Sequence, residues 1–415
     1  MFKRLFSFKV PQNLLFLLNL LSLSLVILYN KSFDRLSIGV AVGLPLIIYI
    51  SNLLLLKVSS GDHYLLLIVS MMMSLGILMI YRINPELGFK QVIWYMVGII
   101  TFYATYFIVK RITLWEKGMG LYIGLSFLLF LSTLIFGKTI NGSTNWIKIS
   151  GYSFQPSEII KILFVFFLAS YFVNRDKFEN KYILSVIVYA HIGFLFIQRD
   201  LGSAMLFYMV FLVIFYVYEN DRKFILLNLF SASLMAMLGY FAFSHVQVRV
   251  ETWLNPWEDI SGKGYQITQS LFAIAEGGFL GSGIGNGYPT FIPEVQTDFI
   301  FSAICEEMGV LTGIAVIMLF LILIYRGIKI ALEQRNQFFR IVALGITATL
   351  GFQAFIILGG VTKLIPLTGV TLPFLSYGGS SLIMSFASLG VLQVASEYIY
   401  VEQEEDYEHG TEEDN

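Results

Sequence analysis

The chain has 415 residues, of which 57% are hydrophobic and only 13% charged, and its mean hydropathy is +0.74. A soluble globular domain usually carries roughly a quarter charged residues, so the composition excludes an ordinary water-soluble protein. The net charge of -1 gives no reason to expect a nucleic-acid partner. The single cysteine, Cys305, excludes a disulfide framework.

Long apolar runs without strand alternation predict helices, because lipid offers no hydrogen bonds to an open backbone. Twelve stretches approach the length of a membrane span. They lie at about 13–30, 36–57, 64–82, 91–109, 118–136, 158–173, 182–197, 202–218, 222–243, 300–325, 338–359 and 375–396. The predicted fold is therefore all-α, a polytopic transmembrane bundle, although 182–197 and 202–218 could also form one interrupted hairpin.

Lysine and arginine predict the orientation, because they are held preferentially in cytoplasmic connections. With the N-terminus inside, 16 of them fall inside and 10 outside. Both termini are then cytoplasmic, and two long connections, about 137–157 and 244–299, are extracytoplasmic, the second just before the tenth span. The acidic tail, residues 398–415, is predicted to be disordered.

Ionisable side chains at bilayer depth cost about 2.5–3.5 kcal/mol on insertion scales, so each is a candidate for function. Pro156 suits the first turn of a helix, and Glu158 and Lys161 follow on one helix face. The pair is either a structural ion pair or a contact for a charged substrate, in which Lys161 holds a phosphate.

Asp200, in the sequence Gln198-Arg199-Asp200-Leu201-Gly202, has two interpretations. An aspartate at this position suits the N-cap of the following span. The alternative is an active-site role.

Asp298 lies at the predicted outer mouth of the tenth span, with Glu306 and Glu307 two turns further on. A carboxylate at such a boundary is partly desolvated, which favours general-base chemistry. The alternative is again a helix cap.

Two stretches of small residues could cradle an anion with backbone amides, or could allow close helix packing. They are the glycines from Gly277 to Gly287 and the segment Pro373-Phe374-Leu375-Ser376-Tyr377-Gly378-Gly379-Ser380-Ser381. The four histidines, His63, His191, His245 and His409, have no metal-ligand spacing, so no zinc site is predicted.

The motifs as an ordered set resemble the shape, elongation, division and sporulation (SEDS) family, the RodA and FtsW proteins. They cover about residues 64–397. The matching pieces are Asn141-Gly142, Trp146-Ile147, Gln155-Pro156-Ser157-Glu158 with Lys161, Asp200-Leu201-Gly202, Asn255-Pro256-Trp257, Gly264-Tyr265-Gln266, Gln269-Ser270, Thr297-Asp298-Phe299-Ile300-Phe301, Leu372-Pro373-Phe374 and Ser376 to Ser381.

This resemblance implies a peptidoglycan glycosyltransferase that polymerises lipid II at the outer face of the bacterial cytoplasmic membrane, releasing undecaprenyl pyrophosphate. The implied partner is a class B penicillin-binding protein, a transpeptidase. By the same resemblance Asp298 is catalytic and seven residues contact substrate, namely Trp146, Gln155, Glu158, Lys161, Asp200, Ser376 and Ser380. A divalent cation, Mg²⁺ or Mn²⁺, is compatible with the chemistry, but its ligands are unknown.

The resemblance also divides the chain. Family members typically have ten spans, so residues 1–63 form an N-terminal extension with two transmembrane helices, and residues 64–397 form the catalytic domain. The purpose of the extension is open, and the shared motifs leave elongation, division and sporulation equally open. Two other functions fit the same body, a lipid II flippase and a non-catalytic scaffold for a penicillin-binding protein.

Three positions depart from the family's pattern. Asn145 stands where an arginine often precedes the tryptophan, Arg199 where proline often precedes the aspartate, and Gln296 where histidine is common. None of them removes the proposed base.

Overall fold

The structure is a computed structural model that describes residues 11–30, 35–140, 142–149, 152–177, 181–219 and 221–412. These ranges contain fourteen α-helices and three short β-strands. The helices are α1 Pro11–Asn30, α2 Arg35–Val58, α3 Tyr64–Ile83, α4 Pro85–Arg111, α5 Met119–Phe136, α6 Pro156–Val173, α7 Lys181–Ile197, α8 Leu201–Tyr218, α9 Arg222–Ala242, α10 Ser244–Leu254, α11 Tyr265–Gly277, α12 Ile300–Glu333, α13 Gln337–Val361 and α14 Gly379–Glu412. The strands are β1 Lys138–Ile140, β2 Ser143–Ile149 and β3 Tyr152–Phe154.

The predicted helical membrane bundle is confirmed. Within the described residues, ten helices are long and apolar enough to cross a membrane. Helices α1 and α7 coincide with the other two predicted spans, so the count of twelve and the orientation stay predictions. Helices α7 and α8 are separate helices, because residues 198–200 form a turn between them.

Two details differ from the sequence-based expectation. The last span begins at Gly379 rather than 375, because residues 371–378 form a loop before it. Helix α14 then extends through Glu412, so residues 398–412 are helical where the acidic composition predicted disorder. The cytoplasmic location of this tail stays a prediction.

The chain divides into two compact units. Unit 1 comprises Met1–Val109, Gln269–Arg326 and Thr371–Asn415, and unit 2 comprises Lys110–Thr268 and Gly327–Val370. The proposed border between the extension and the catalytic domain, at residue 63, therefore falls inside unit 1.

Buried polar contacts join α2 to α3 and α4 within unit 1. The Ser37 and Tyr81 hydroxyls are 2.5 Å apart, and Asn52 donates to the Ser70 hydroxyl over 3.0 Å. The Tyr103 hydroxyl donates to a carbonyl of α2 over 2.6 Å. Since lipid cannot replace these partners, the contacts stabilise the packing of α2 on the helices that follow it.

A second polar cluster lies at the other end of α3, where Asp62 precedes the helix. Asp62 pairs with Arg326 at 2.6 Å, and the Arg326 guanidinium lies 4.5 Å from the centre of the Tyr64 ring. The buried Glu397 carboxylate accepts hydrogen bonds from the Tyr106 hydroxyl at 2.6 Å and the Ser60 amide at 3.0 Å. These contacts tie the ends of α3, α4, α12 and α14 together.

Helix α12 is interrupted at Gly309, whose φ of 84° and ψ of 161° are not helical. The glycine-rich loop lies against this break. The Val310 amide donates to the Gly278 carbonyl at 2.9 Å, and the Gly283 amide donates to the Glu307 carbonyl at 3.0 Å. A Cβ at Gly281 would lie 2.3 Å from the Glu307 carbonyl oxygen, so the glycines allow the loop to approach the broken helix closely.

Helix α6 lies at the centre of unit 2, in contact with α5, α8 and α13. Gly345 of α13 permits close packing there, because an added Cβ would be 2.6 Å from Val165 and 3.0 Å from Ile214. The strands form an antiparallel sheet of order β1-β2-β3, in which Ile147 pairs with Phe154. This sheet, absent from the sequence-based prediction, leads directly into α6.

The helix break gives a testable prediction. Gly309→Ala is expected to lower the free energy of unfolding by about 1–3 kcal/mol, because its backbone conformation is essentially restricted to glycine. An added Cβ would also lie 2.4 Å from the Phe279 carbonyl oxygen. Thermal unfolding of the detergent-solubilised protein measures this as a lower Tm.

Gly124→Ala is the matched control, because an added Cβ at this helical glycine meets nothing within 4 Å. Its Tm should be unchanged or slightly higher, since alanine favours a helix interior. Equal Tm values for the two variants would contradict the assigned strain at Gly309.

Candidate active site

The predicted site residues lie in both units. Asp298, Ser376 and Ser380 belong to unit 1, and the others, Trp146, Gln155, Glu158, Lys161 and Asp200, belong to unit 2. Within unit 1 the structure joins the Asp298 segment to Ser376. Within unit 2 it joins Glu158 to Lys161, and Gln155 to Asp200.

Asp298 is half-buried and is followed by the fully buried Phe299. The chain reaches it through a turn in which the Thr297 and Asp298 amides donate to the Glu294 carbonyl at 3.1 and 3.2 Å. Because α12 begins at Ile300, Phe299 occupies the N-cap position and Asp298 precedes it. The helix-cap interpretation of Asp298 stays a prediction.

The loop at residues 371–378 holds the backbone just before Asp298. The Ser376 hydroxyl donates to the Thr297 carbonyl, and the Tyr377 amide donates to the Gln296 carbonyl at 2.8 Å. Two consecutive carbonyls are thereby fixed within unit 1. Gln296, where the family often has histidine, takes part through its backbone rather than its side chain.

Helix α6 presents a buried ion pair. Lys161 Nζ lies 2.8 Å from a Glu158 carboxylate oxygen, and the two side chains are 10% and 7% exposed. Lys161 also donates to the Gln353 side-chain oxygen of α13 at 2.9 Å. A buried ammonium with two oxygen partners costs far less than an isolated one, and the same donor can bind an anionic oxygen.

Asp200 is the N-cap of α8, since its Oδ1 accepts the Ser203 amide at 3.0 Å. Its Oδ2 accepts hydrogen bonds from Asn145 at 2.8 Å, Gln155 at 3.2 Å and the Ser203 hydroxyl at 2.9 Å. The cap interpretation is correct, and the carboxylate also ties β2 and the start of α6 to α8. Direct contact of Asp200 with substrate stays a prediction.

The residue before this carboxylate adopts the left-handed conformation, with φ of 61° at Arg199. Proline fixes φ near about -65°, so it could not adopt this backbone. The replacement of the family's usual proline by Arg199 is therefore consistent with the turn that precedes Asp200 in this chain.

The two remaining predicted contacts lie in β2 and at the start of α14. Trp146 is half-buried in β2, paired with Lys138 of β1. Ser380 is buried in the first turn of α14. Their contacts with substrate stay predictions.

The sequence-based prediction missed Gln353, the second partner of Lys161. Its signal was available, because Gln353 is an amide within the long apolar run of α13 and is only 1% exposed. It also missed the pairing of Arg82 with Glu307, at 3.0 Å, which depends on a contact between α3 and α12. No local pattern predicts that contact.

The described residues contain no group of three or more histidine, cysteine, aspartate or glutamate side chains that could hold a metal ion. A divalent cation stays a proposal, and no catalytic step is derived through it.

Comparison with known proteins identifies the family to which the chain belongs. A family model described as "Cell cycle protein", covering FtsW, RodA and SpoVE, matches residues 62–400. The peptidoglycan glycosyltransferase RodA of Mycobacterium bovis is 36% identical over 361 residues, which cover 80% of this chain and 77% of that protein. The stage V sporulation protein E of Bacillus subtilis is 34% identical, covering 82% of this chain and 98% of that protein.

Solved structures agree with this result. A chain from a peptidoglycan synthase complex that coordinates polymerization and crosslinking matches with a TM-score of 0.68 and 25% identity, covering 83% of this chain and 98% of that one. The rod shape determining protein RodA of Thermus thermophilus gives a TM-score of 0.61 and covers 82% and 98%; at 24% identity it supports the fold alone.

The fold and these matches define a polytopic membrane protein of bacterial cell-wall synthesis. The chain belongs to the FtsW, RodA and SpoVE family of cell cycle proteins, the SEDS family. It is therefore a multi-pass protein of the bacterial cytoplasmic membrane, as its ten candidate spans within the described residues also indicate.

The hydrogen bonds of Asp200 give a second prediction. Asp200→Ala should lower the free energy of unfolding by about 2–4 kcal/mol, because a cap is lost and buried donors lose their acceptor. The control is Asn336→Ala, which removes the exposed cap of α13 on the Phe339 amide, a bond of 3.1 Å. That control should cost about 1 kcal/mol. Equal losses of Tm would contradict the multiple role of Asp200.

Proposed function

We propose that this chain is a peptidoglycan glycosyltransferase that polymerises lipid II, with Asp298 as the general base. The observation that carries the proposal is a half-buried carboxylate on a backbone held by two loop hydrogen bonds, just outside the start of α12. The family relationship supports the activity, because relatives more than 30% identical over most of this chain are named peptidoglycan glycosyltransferases.

In the proposed reaction the Asp298 carboxylate accepts the proton of the 4-hydroxyl of the acceptor sugar. The hydroxyl oxygen attacks the anomeric carbon of the lipid-linked donor, and the bond from that carbon to the pyrophosphate oxygen breaks. The electron pair leaves with undecaprenyl pyrophosphate. One direct displacement changes the linkage from α to β.

Lys161 is the proposed contact for negative charge on the lipid-linked substrate. A compact ammonium suits a phosphate oxygen. Glu158 and Gln353 hold Lys161 in one position before substrate binds. Because donors that are already oriented need little reorganisation, they stabilise developing charge efficiently. Gln155, Trp146 and Ser380 stay in the proposal as substrate contacts inferred from the family motifs.

The proposed partner is a class B penicillin-binding protein that cross-links the product. One matching structure comes from a complex that coordinates polymerization and crosslinking, which supports a partner of this kind. The positively charged connections favour an orientation in which Asp298 faces the outside. Lipid II polymerisation would then occur at the outer face of the membrane.

The base assignment gives the central prediction. Asp298→Asn keeps the size and polarity of the side chain but removes the proton acceptor, so polymerisation should fall at least about 100-fold. Purified protein is incubated with lipid II in proteoliposomes and the glycan chains are measured by gel electrophoresis. The same proteoliposomes show whether lipid II moves to the other leaflet without being polymerised, which is the result expected of a flippase.

Glu294→Gln is the matched control, because it neutralises an exposed carboxylate four residues before Asp298. It should polymerise at the wild-type rate. Wild-type chain formation by well-folded Asp298→Asn would refute the general base. Leaflet exchange without polymer from the wild-type protein would favour the flippase instead.

The ion pair gives a separate prediction. A double change, Glu158→Gln with Lys161→Met, removes both charges and avoids an unpaired buried carboxylate, which would cost about 3–5 kcal/mol. The variant should stay folded but lose polymerisation at least about tenfold, because the phosphate contact is gone. Lys329→Met removes an exposed partner of Glu333, at 3.7 Å, and should have no effect.

The charge reversal Glu158→Lys with Lys161→Glu distinguishes the two interpretations of the pair. Full activity in the reversed protein would show that the ion pair has only a structural role.

A further inference from the structure

The hydroxyl of Ser376 is engaged as both donor and acceptor inside unit 1. It donates to the Thr297 carbonyl and accepts the Leu372 amide at 3.0 Å. The residue is 4% exposed. A serine hydroxyl has one proton to donate, so this proton is already committed to the residue adjacent to Asp298.

The loop that carries Ser376 is itself fixed to the surrounding helices. The buried Gln91 side chain of α4 donates to the Ser376 carbonyl at 3.1 Å. An added Cβ at Gly76 of α3 would lie 2.5 Å from the Leu375 carbonyl oxygen. The Thr371 and Ser381 hydroxyls are 2.9 Å apart, which joins the loop to α14. Three helices thus determine where Ser376 lies.

From this anchored loop, two hydrogen bonds reach the segment before Asp298, one to Gln296 and one to Thr297. We propose that Ser376 is a positioning residue, which sets the place of the Asp298 carboxylate through the Thr297 backbone, rather than a residue that contacts substrate. The inference rests on the proposed role of Asp298 as the base. It revises the expectation, taken from the family motif, that Ser376 contacts substrate.

The physical reason for the effect is distance. A general base must lie within about 2.6–3.2 Å of the oxygen whose proton it accepts. A displacement of about 1 Å can lower a rate about 100-fold, even when substrate still binds. Loss of the Ser376 hydroxyl leaves the Thr297 carbonyl and the Leu372 amide without this partner. Only the Tyr377 amide then still binds the segment from this loop, so the Thr297 backbone can shift. Turnover should then fall while substrate affinity is kept.

The test is a steady-state assay of lipid II polymerisation with the full-length protein, comparing wild type, Ser376→Ala and Ser385→Ala. Ser385 is a matched control, because it is a buried serine whose hydroxyl bonds the carbonyl of Ser381 within α14, at 2.8 Å. We expect Ser376→Ala to lower kcat about 10- to 100-fold with KM within about twofold. We expect Ser385→Ala to match wild type.

A rise in KM at unchanged kcat would show that Ser376 contacts substrate and would overturn the proposal. Wild-type kcat and KM in folded Ser376→Ala would overturn it equally. Tm is measured for every variant. If Ser376→Ala does not fold, Ser376→Cys replaces it, since a thiol keeps similar volume but is a weaker donor. That variant should show a smaller loss of kcat, and wild-type kcat there would also overturn the proposal.

Asp298→Asn in the same assay separates this inference from the proposed function. Full turnover in Asp298→Asn refutes the general base itself. Loss of turnover in Asp298→Asn together with wild-type kinetics in the Ser376 variant refutes the positioning role alone.

Discussion

Lipid cannot form hydrogen bonds, so polar groups in the membrane-spanning part of the protein depend on partners within the chain. Lys161, whose side chain is 10% exposed, has two oxygen partners, and the buried Asp200 carboxylate accepts four hydrogen bonds. Such groups are expensive to bury alone and become stabilising only as members of a complete set. The candidate functional groups are therefore also contacts that join helices.

The break in α12 shows the same constraint acting on the backbone. At Gly309 the helix cannot form all its own hydrogen bonds, and the loop at residues 278–283 supplies partners on both sides. The carboxylate of Glu307 adds to this contact, because it accepts the Gly285 amide at 3.1 Å and pairs with Arg82. Anion binding is therefore a poor explanation of the glycine-rich stretch. Several of its amides bond the broken helix, so close packing explains its composition better than anion binding.

The Glu158–Lys161 ion pair and the Asp200 cap show which contacts local sequence patterns can predict and which they cannot. The three-residue spacing of Glu158 and Lys161 predicts their contact, and the place of Asp200 before an apolar run predicts its cap. Neither pattern predicts Gln353 as a partner of Lys161, or Asn145 as a partner of Asp200. Those residues are 192 and 55 positions away along the chain. Partners at such separations follow from helix packing, which periodicity does not encode.

Hydropathy by itself predicted the helical membrane fold and the approximate positions of the ten candidate spans of the described residues, because the cost of placing polar groups in lipid acts on each short segment separately. The family resemblance rested instead on the order of short sequence motifs. The break at Gly309, the small sheet before α6 and the attachment of Ser376 to Thr297 were decided only by the tertiary structure. Each of these depends on hydrogen bonds or close backbone approaches between segments, and such contacts exist only after the helices have packed.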